Sequence, residues 1–430
     1  MDFIEHLKSY LSDEEIALLI DSLKQEDKHA VLLNLRKMDD AKFLSLFPHV
    51  TPHPIVPHAY LYDKKEYELG KSIYHMLGCY YLQEPSAMLP SHFLSPKPSE
   101  YVLDLCAAPG GKSVQASFLM ENQGAIISND LARNRCQAIL ENVERLGIGN
   151  ICITNNDFSK IYHFYDNYFD HIILDAPCSG SGMFRKETKM ADDWSYNKVL
   201  KNQEIQKELI IYAYKMLKPG GTMVYSTCSF SLEEDEDVIQ YLLDNSDAQL
   251  EEMAKSPLFY INKNKPYGIH LFPFLFPGEG HYICLIKKPG ALRENKEEKT
   301  KEFLVKNEDI NRECKHIYKY GDTIFGCDKN IRIKGLNIIR NGVKIGEVCR
   351  DFIKFDYHFS HFVKTFTTTF NLETTELDKY FMGEILPQKD VKGYVLLQYE
   401  NINVDITKGD NKSIKNHLPK YIRATININK

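Results

Sequence analysis

Six side chains in this sequence have types and positions suited to chemistry. Asp175-Ala-Pro-Cys178 follows the apolar run Phe169 to Leu174, and Thr227-Cys228-Ser229 follows Met223 to Tyr225. Asp104 sits at the end of the run from Tyr101, Asp130 closes Ala125 to Asn129, and Asp157 comes shortly after Ile151 to Thr154. Each run is short, apolar and rich in β-formers, which predicts five strands. Between them lie helical patterns: Val114, Ala116, Phe118 and Leu119, then Cys136, Ile139, Leu140 and Val143, then the amphipathic stretch Val199 to Leu217, stopped by Pro219-Gly220-Gly221. Strands alternating with helices predict an α/β fold with a mostly parallel sheet covered on both faces. Ligands of such sheets bind beyond the carboxyl ends of the strands. Four aspartates and two potentially nucleophilic thiols are therefore expected at one rim, with Cys178 and Cys228 in one cavity if the fourth and fifth strands are neighbours.

The stretch that organises the chain is YVLDLCAAPGGKSVQASFLMENQGAIISND, Tyr101 to Asp130. It reads as strand, glycine turn, helix, strand. Pro109 has no N–H, and Gly110 and Gly111 lack Cβ, so a ligand is expected to lie against their main chain. An acid at Asp130 is placed to accept ribose hydroxyls. A phosphate loop is excluded by the absence of GxxxxGK[ST], and the dinucleotide spacing GxGxxG is missing too. An adenosine-containing cofactor remains.

A length of 430 residues implies more than one domain, and 43% hydrophobic with 26% charged residues is the balance of a soluble globular protein. No apolar run approaches the length of a membrane span, and the acidic start, Asp2 and Glu5, is unlike a secretory signal, so a cytoplasmic location is expected. The ten cysteines contain no CxxC pair, which argues against a zinc site and against disulfides; no metal is expected. The net charge of −6 divides unevenly, +5 over residues 301–430 and −11 over the rest. That asymmetry is compatible with nucleic-acid binding but is equally an ordinary solvated surface.

Residues 1 to about 46 read as helical, with Ile16, Leu19, Ile20 and Leu23 on one face and a further apolar segment from Val31 to Leu35. PHVTPHPIVPHAY, residues 48–60, reads as an extended connector rather than a histidine metal site. Tyr80 and Tyr81 are either core or contacts to a base. Beyond the charged stretch KKPGALRENKEEKTK, IRIKGLNIIRNGVKIGEV alternates around Asn341-Gly342 and predicts a hairpin. The expected division is an N-terminal RNA-facing domain and connector, 1–98; a catalytic domain, 99–288; a linker, 289–302; and an α+β C-terminal region, 303–430.

The motifs DLCAAPGGKS, LDAPCSGSGMFRKE and VYSTCSFSLEEDE, with YYLQEPSAM upstream and PFLFPGEGHYICLIKK downstream, resemble in order and spacing those of the Sun/Nop-type RNA cytosine-5 methyltransferases. The terminal KNHLPKYIR is similar to the end of the PUA-like RNA-binding domain in the bacterial branch that modifies 16S ribosomal RNA. In the leading domain LLNLRK departs from the family's RxNTLK and keeps Asn34 as its anchor. The resemblance implies a Rossmann-like class I S-adenosylmethionine-dependent core with small-subunit rRNA as partner. It implies Cys228 as the thiolate that attacks C6 of cytosine, Cys178 as the residue assisting release, and Asp175 as the group at N3 of the base and beside the cofactor. Lys112, with Arg185 or Lys186, would supply positive potential that lowers a thiol pKa or would hold the backbone. The cofactor would rest on Cys106, Ala107, Ala108, Pro109, Gly110, Gly111 and Lys112, with Asp130 at the ribose, Asp157 at the adenine and Arg135 as a further candidate.

Two other classes compete. A non-catalytic ribosome-assembly factor with this fold would have no need of both cysteines, and an amino-group methyltransferase would show [DN]PPY where this chain has DAPC. Within the first class, tRNA is the alternative substrate.

Overall fold

The computed structural model describes residues 2–185, 191, 193–295, 298, 302–350, 352–420 and 422–423. The chain opens with helices Phe3–Leu7 and Asp13–Leu23, the second started by a Ser12/Glu15 capping box. The helical reading of the first 46 residues then fails in one place. His29–Leu33 is a strand, held between Ala59–Tyr62 and Tyr80–Gln83 in a four-stranded antiparallel sheet. A short apolar run carries no periodicity that separates strand from helix, and here two flanking partners decided it. The histidines of the following connector go to separate partners: His49 to Glu66, His53 to the Pro85 carbonyl and His58 to Asp40.

The central sheet carries the expected α/β architecture. Its main strands are β1 (Tyr101–Asp104), β2 (Ala125–Asn129), β3 (Ile151–Thr154), β4 (Phe169–Asp175), β5 (Leu217–Thr227) and β6 (Tyr282–Lys287). They lie in the order β6-β5-β4-β1-β2-β3, parallel from β1 to β5, with β6 antiparallel to β5. The chain runs outward from β1 to β3 and then returns to β4, so the order reverses between β1 and β4, the position where doubly wound sheets bind ligands. Alternate strand residues enter opposite cores, as a sheet buried on both faces requires. Val102, Ile126 and Ile153 pack with Val114 of helix α1 (Gly111–Leu119) and Ile139 and Val143 of α2 (Arg133–Leu146). Leu103, Ile127 and Ile172 pack with Leu209, Ile210 and Ala213 of α3 (Tyr196–Met216).

The C-terminal region adds two antiparallel-rich sheets, one over residues 316–355 and one over residues 369–414. The hairpin expected at Asn341-Gly342 does not form. Ile338–Asn341 becomes β7, antiparallel to β3 at the edge of the central sheet, whereas Val343–Val348 pairs with Thr323–Cys327. Gly342 has φ +69° and an added Cβ would stand 2.1 Å from the Gly326 carbonyl oxygen, so the turn passes the chain between two sheets instead of folding it back on itself. Val395 and Leu397 of the last sheet, with Leu377 and Tyr380 of the helix Thr374–Phe381 beside it, share one hydrophobic core with Val31, Leu33 and Tyr80 of the N-terminal sheet and Phe43 of the helix Asp40–Leu46. The two ends of the chain are thus packed together. Of KNHLPKYIR, Leu418 is buried in that core, and Tyr421 lies outside the described residues. Among the described residues no helix is long and apolar enough to cross a membrane.

Candidate active site

At the reversal point the sequence-predicted residues separate into a cofactor half and a base half. In the cofactor half, the turn from Cys106 to Gly111 links β1 to α1 with a cis Ala108–Pro109 bond and Gly110 at φ +106°. Asp130, buried at the end of β2, accepts the Ala108 N–H at 3.1 Å and the Ala132 N–H at 2.9 Å. Arg135 is half-exposed; it donates to the Ala108 carbonyl at 2.6 Å and stands 3.5 Å from Asp130. The Asp104 carboxyl takes the Ser113 hydroxyl on Oδ2 at 2.6 Å, and its Oδ1 is buried with no hydrogen-bond partner among the described residues. Burial pushes the Asp104 carboxyl up to about 7. Burial, then the charges of Asp104, Asp175 and Asp130, push the Cys106 thiol well above its ordinary value; these three aspartates stand at the ends of β1, β4 and β2, neighbouring parallel strands. The fourth does not join them. Asp157 is exposed and caps helix Phe158–Phe164, accepting the Ser159 N–H at 2.9 Å.

Both glycines also serve close packing. A Cβ on Gly111 would meet Tyr81 at 3.2 Å and Gln83 at 3.1 Å, and one on Gly110 would meet Ile139 at 3.3 Å. On the side where a Cβ would stand, the turn packs closely against the N-terminal sheet and α2. Tyr80 and Tyr81 are accordingly core residues and not base contacts: Tyr80 is fully buried with its hydroxyl on the Leu69 carbonyl, and Tyr81 covers Gly111. Asn34 is structural as well, with Nδ2 on the carbonyls of Gly78 and Leu146, both at 3.0 Å.

In the base half, β4 and β5 are neighbours with Asp175 opposite Ser226. The loops beyond them bring Cys178 Sγ and Cys228 Sγ to 3.0 Å, both as free, partly exposed cysteines. Asp175 accepts Lys112 Nζ at 2.7 Å and the Ser226 hydroxyl at 2.7 Å, with His281 Nε2 at 3.6 Å. Burial by itself raises this carboxyl, but Lys112 and His281 more than reverse that and hold it well below the usual carboxylate range. Asp175 is an anion at neutral pH and a hydrogen-bond acceptor only.

The positive potential expected at the thiols is directed elsewhere. Lys112 is paired with Asp175, and the buried Arg185 guanidinium holds Glu279 at 3.0 Å and the Gly278 carbonyl at 2.6 Å. Lys186 lies outside the described residues. The hydrogen bond with Cys228 and burial together raise the Cys178 thiol well above its ordinary value. His281 was missed by sequence reasoning. It stands in the GEGH stretch, far along the chain, and only the pairing of β6 with β5 brings it to Asp175. A separate buried group, Asp235, Glu236 and His270, places ligand-type atoms within 4.8 Å of one another behind the cysteine loops. Its contacts are internal: Glu236 pairs with His270 at 2.9 Å and Asp235 accepts the Thr227 hydroxyl.

Known proteins resemble this chain over most of its length. Residues 91–287 match the family model described as 16S rRNA methyltransferase RsmB/F, residues 1–85 that of the N-terminal domain of 16S rRNA methyltransferase RsmF, and residues 367–424 that of the methyltransferase RsmF PUA domain. The ribosomal RNA small subunit methyltransferase F of Vibrio vulnificus is 31% identical over 399 residues, which span 85% of this chain and 84% of that protein. A tRNA (cytosine(49)-C(5))-methyltransferase of Pyrococcus abyssi is 45% identical over 238 residues, 52% of this chain and 76% of that protein. A crystal structure of a methyltransferase homologue from Pyrococcus horikoshii superposes with a TM-score of 0.60 at 27% identity, covering 66% of this chain and 93% of that one.

Proposed function

The chain belongs to the ribosomal RNA small subunit methyltransferase F family, and from that premise we propose that it methylates C5 of a cytosine in 16S rRNA, using S-adenosylmethionine and a covalent Cys228 adduct. The observation that carries the reading is a pair of free thiols 3.0 Å apart beside an ionised carboxylate at the sheet's reversal point. An amino-group methyltransferase has no use for such a pair.

The residues present fit the cofactor. It is a sulfonium cation, and Asp104, Asp130 and Asp175 together make a cation-favouring rim. The unpartnered Asp104 Oδ1 is a spare acceptor for an ammonium, and Asp130, with Arg135 beside it, is placed for hydroxyls. The backbone of Cys106, Ala107, Ala108, Pro109, Gly110, Gly111 and Lys112 forms the floor, and Asp157 marks the outer edge toward the adenine. When bound, the cofactor supplies an electrophilic methyl group.

The chain's own residues do the rest. Cys228 gives its thiol proton to solvent and its Sγ bonds to C6 of the cytosine; the C5–C6 pair shifts through C5 and C4 toward N3, which takes a proton from solvent, and the N3–H so formed donates to the Asp175 carboxylate. Lys112 and His281 keep Asp175 charged for that contact. With C5 methylated, Cys178 as thiolate removes the C5 proton, the released pair re-forms the C5–C6 double bond and expels Cys228 as thiolate, and N3 returns its proton to solvent, which restores the ring. Cys178 is held protonated chiefly by its hydrogen bond with Cys228. When Cys228 becomes a thioether that cause is removed, which favours the Cys178 thiolate relative to the free enzyme.

The substrate is assigned to small-subunit rRNA because both the N-terminal and the PUA models match outside the catalytic part. The division into 1–98, 99–288, 289–302 and 303–430 belongs to the same proposal, with the outer parts gripping RNA around the target base. The 45% identity to a tRNA methyltransferase over the catalytic half supports tRNA as second substrate class. Mapping 5-methylcytosine in rRNA and tRNA, with the gene intact, deleted or carrying Cys228→Ala, tests it. Loss of a small-subunit site in both altered strains is expected. Loss confined to tRNA moves the substrate, and no loss leaves the assembly-factor reading.

A further inference from the structure

Beyond the two thiols, one carboxylate ties their loops together. Glu234 is fully buried in the turn that follows β5. Its carboxylate accepts the Ser179 N–H at 2.8 Å, the Ser179 hydroxyl, the Ser229 hydroxyl at 2.6 Å and Gln206 Nε2 at 3.2 Å. Gln206, from α3, also donates to the Pro177 carbonyl at 2.8 Å. The residues on both sides of Cys178 and the residue after Cys228 are thus fixed, directly or through Gln206, to the same two oxygens. Glu234 is itself anchored, since the Tyr225 hydroxyl donates to its carbonyl at 2.6 Å. All four donors, one backbone N–H and three side-chain groups, are neutral, and among the described residues no cation stands in for them. A buried carboxylate with only neutral donors is costly unless every donor is used, so the arrangement is specific.

We propose that Glu234 is a positioning residue for the methyl-transfer reaction, holding the Cys178 and Cys228 sulfurs in the spacing needed to engage neighbouring ring atoms of one cytosine. The inference rests on the cytosine-C5 reading above. Cys228 has to bond C6 while Cys178 faces the hydrogen on the adjacent carbon, and β4 and β5 end before either cysteine, so the strand ladder does not fix the sulfurs. The Glu234 bridge extends that ladder by one side chain. A glutamine there keeps the shape but has one acceptor oxygen and points an N–H2 at groups that already donate.

The test compares full-length wild type with Glu234→Gln. The account expects kcat to fall at least tenfold with unchanged dissociation constants for S-adenosylmethionine and RNA. It also expects a denaturation-resistant RNA adduct to accumulate, because the bridge ties Cys178 through both of its neighbours and Cys228 through one, so release is slowed more than attack. A purely structural residue would lower melting temperature and both affinities without building up adduct. If Glu234→Gln does not fold, Ser179→Ala with Ser229→Ala removes the two hydroxyl tethers and is expected to give the same split. Wild-type kcat with no adduct, or a kcat loss matched by lost affinity, overturns the proposal. Absence of Cys228-dependent methylation in the wild type overturns the parent reading as well, so the two failures are distinguishable.

Discussion

The two halves of the rim are held in different ways. The cofactor half is built from contiguous sequence: β1, the glycine turn, α1 and β2 place Asp104, Cys106 and Asp130, and most of the contacts of Asp130 are to backbone N–H groups nearby. The base half is built from side chains far apart in sequence. Asp175 is held by Lys112, Ser226 and His281, and the cysteine loops by Glu234 and Gln206. A half fixed by backbone should tolerate single substitutions with graded loss. A half fixed by a buried polar network should fail abruptly.

The largest effect is expected at the nucleophile. Cys228→Ala should lower methyl transfer on the order of 10⁴-fold or more, as loss of a covalent nucleophile does, with S-adenosylmethionine affinity unchanged in calorimetry. Cys178→Ala should also stop turnover but stall after attack, leaving protein bound to RNA. Next comes the cofactor half: Asp130→Ala removes a charged acceptor, about 1.5–3 kcal/mol, so S-adenosylmethionine affinity should fall about tenfold to a hundredfold. Adduct formation by the Cys178→Ala background should persist in that variant, because the base half is untouched.

Smaller effects read the electrostatics. Lys112→Met removes the nearest cation from Asp175, so its carboxyl should move up toward the ordinary value of about 4. Asp175 is needed as an anion, so the acid limb of the kcat/KM profile should move to higher pH. Asp104 gives the opposite sign in stability. Its folded-state value, about 7, lies above the ordinary 3.8, so the folded protein binds more protons than the unfolded chain between those values. Stability contributed by Asp104 is full below about pH 4 and is lost as pH rises toward 7, by at most about 1.4 kcal/mol per pH unit. Asp104→Asn should flatten the melting temperature over that window; an unchanged slope would place the titration elsewhere.

The same contrast explains what was legible in the sequence. The strand–turn–helix–strand run, the rim and the pairing of Cys178 with Cys228 follow from local patterns and one rule about parallel sheets, and the structure has that architecture. His281 and Glu234 were not legible because each stands inside a longer motif without marking itself out, and His281 meets Asp175, and Glu234 meets Ser179 and Gln206, only through the fold. Tyr80 and Tyr81 were ambiguous because an aromatic in a short run serves a core and a base equally well, and the N-terminal sheet claimed both. His29–Leu33 and the Asn341-Gly342 turn were misread for one reason: a strand's partner, not its own residues, decides where it pairs.

The most direct test of the central claim is a denaturing gel of Cys178→Ala protein incubated with small-subunit rRNA and S-adenosylmethionine, beside the Cys178→Ala/Cys228→Ala double variant. The account predicts a retarded protein–RNA band in the first and none in the second. A band that persists without Cys228, or methylation at the normal rate by Cys228→Ala alone, would contradict it.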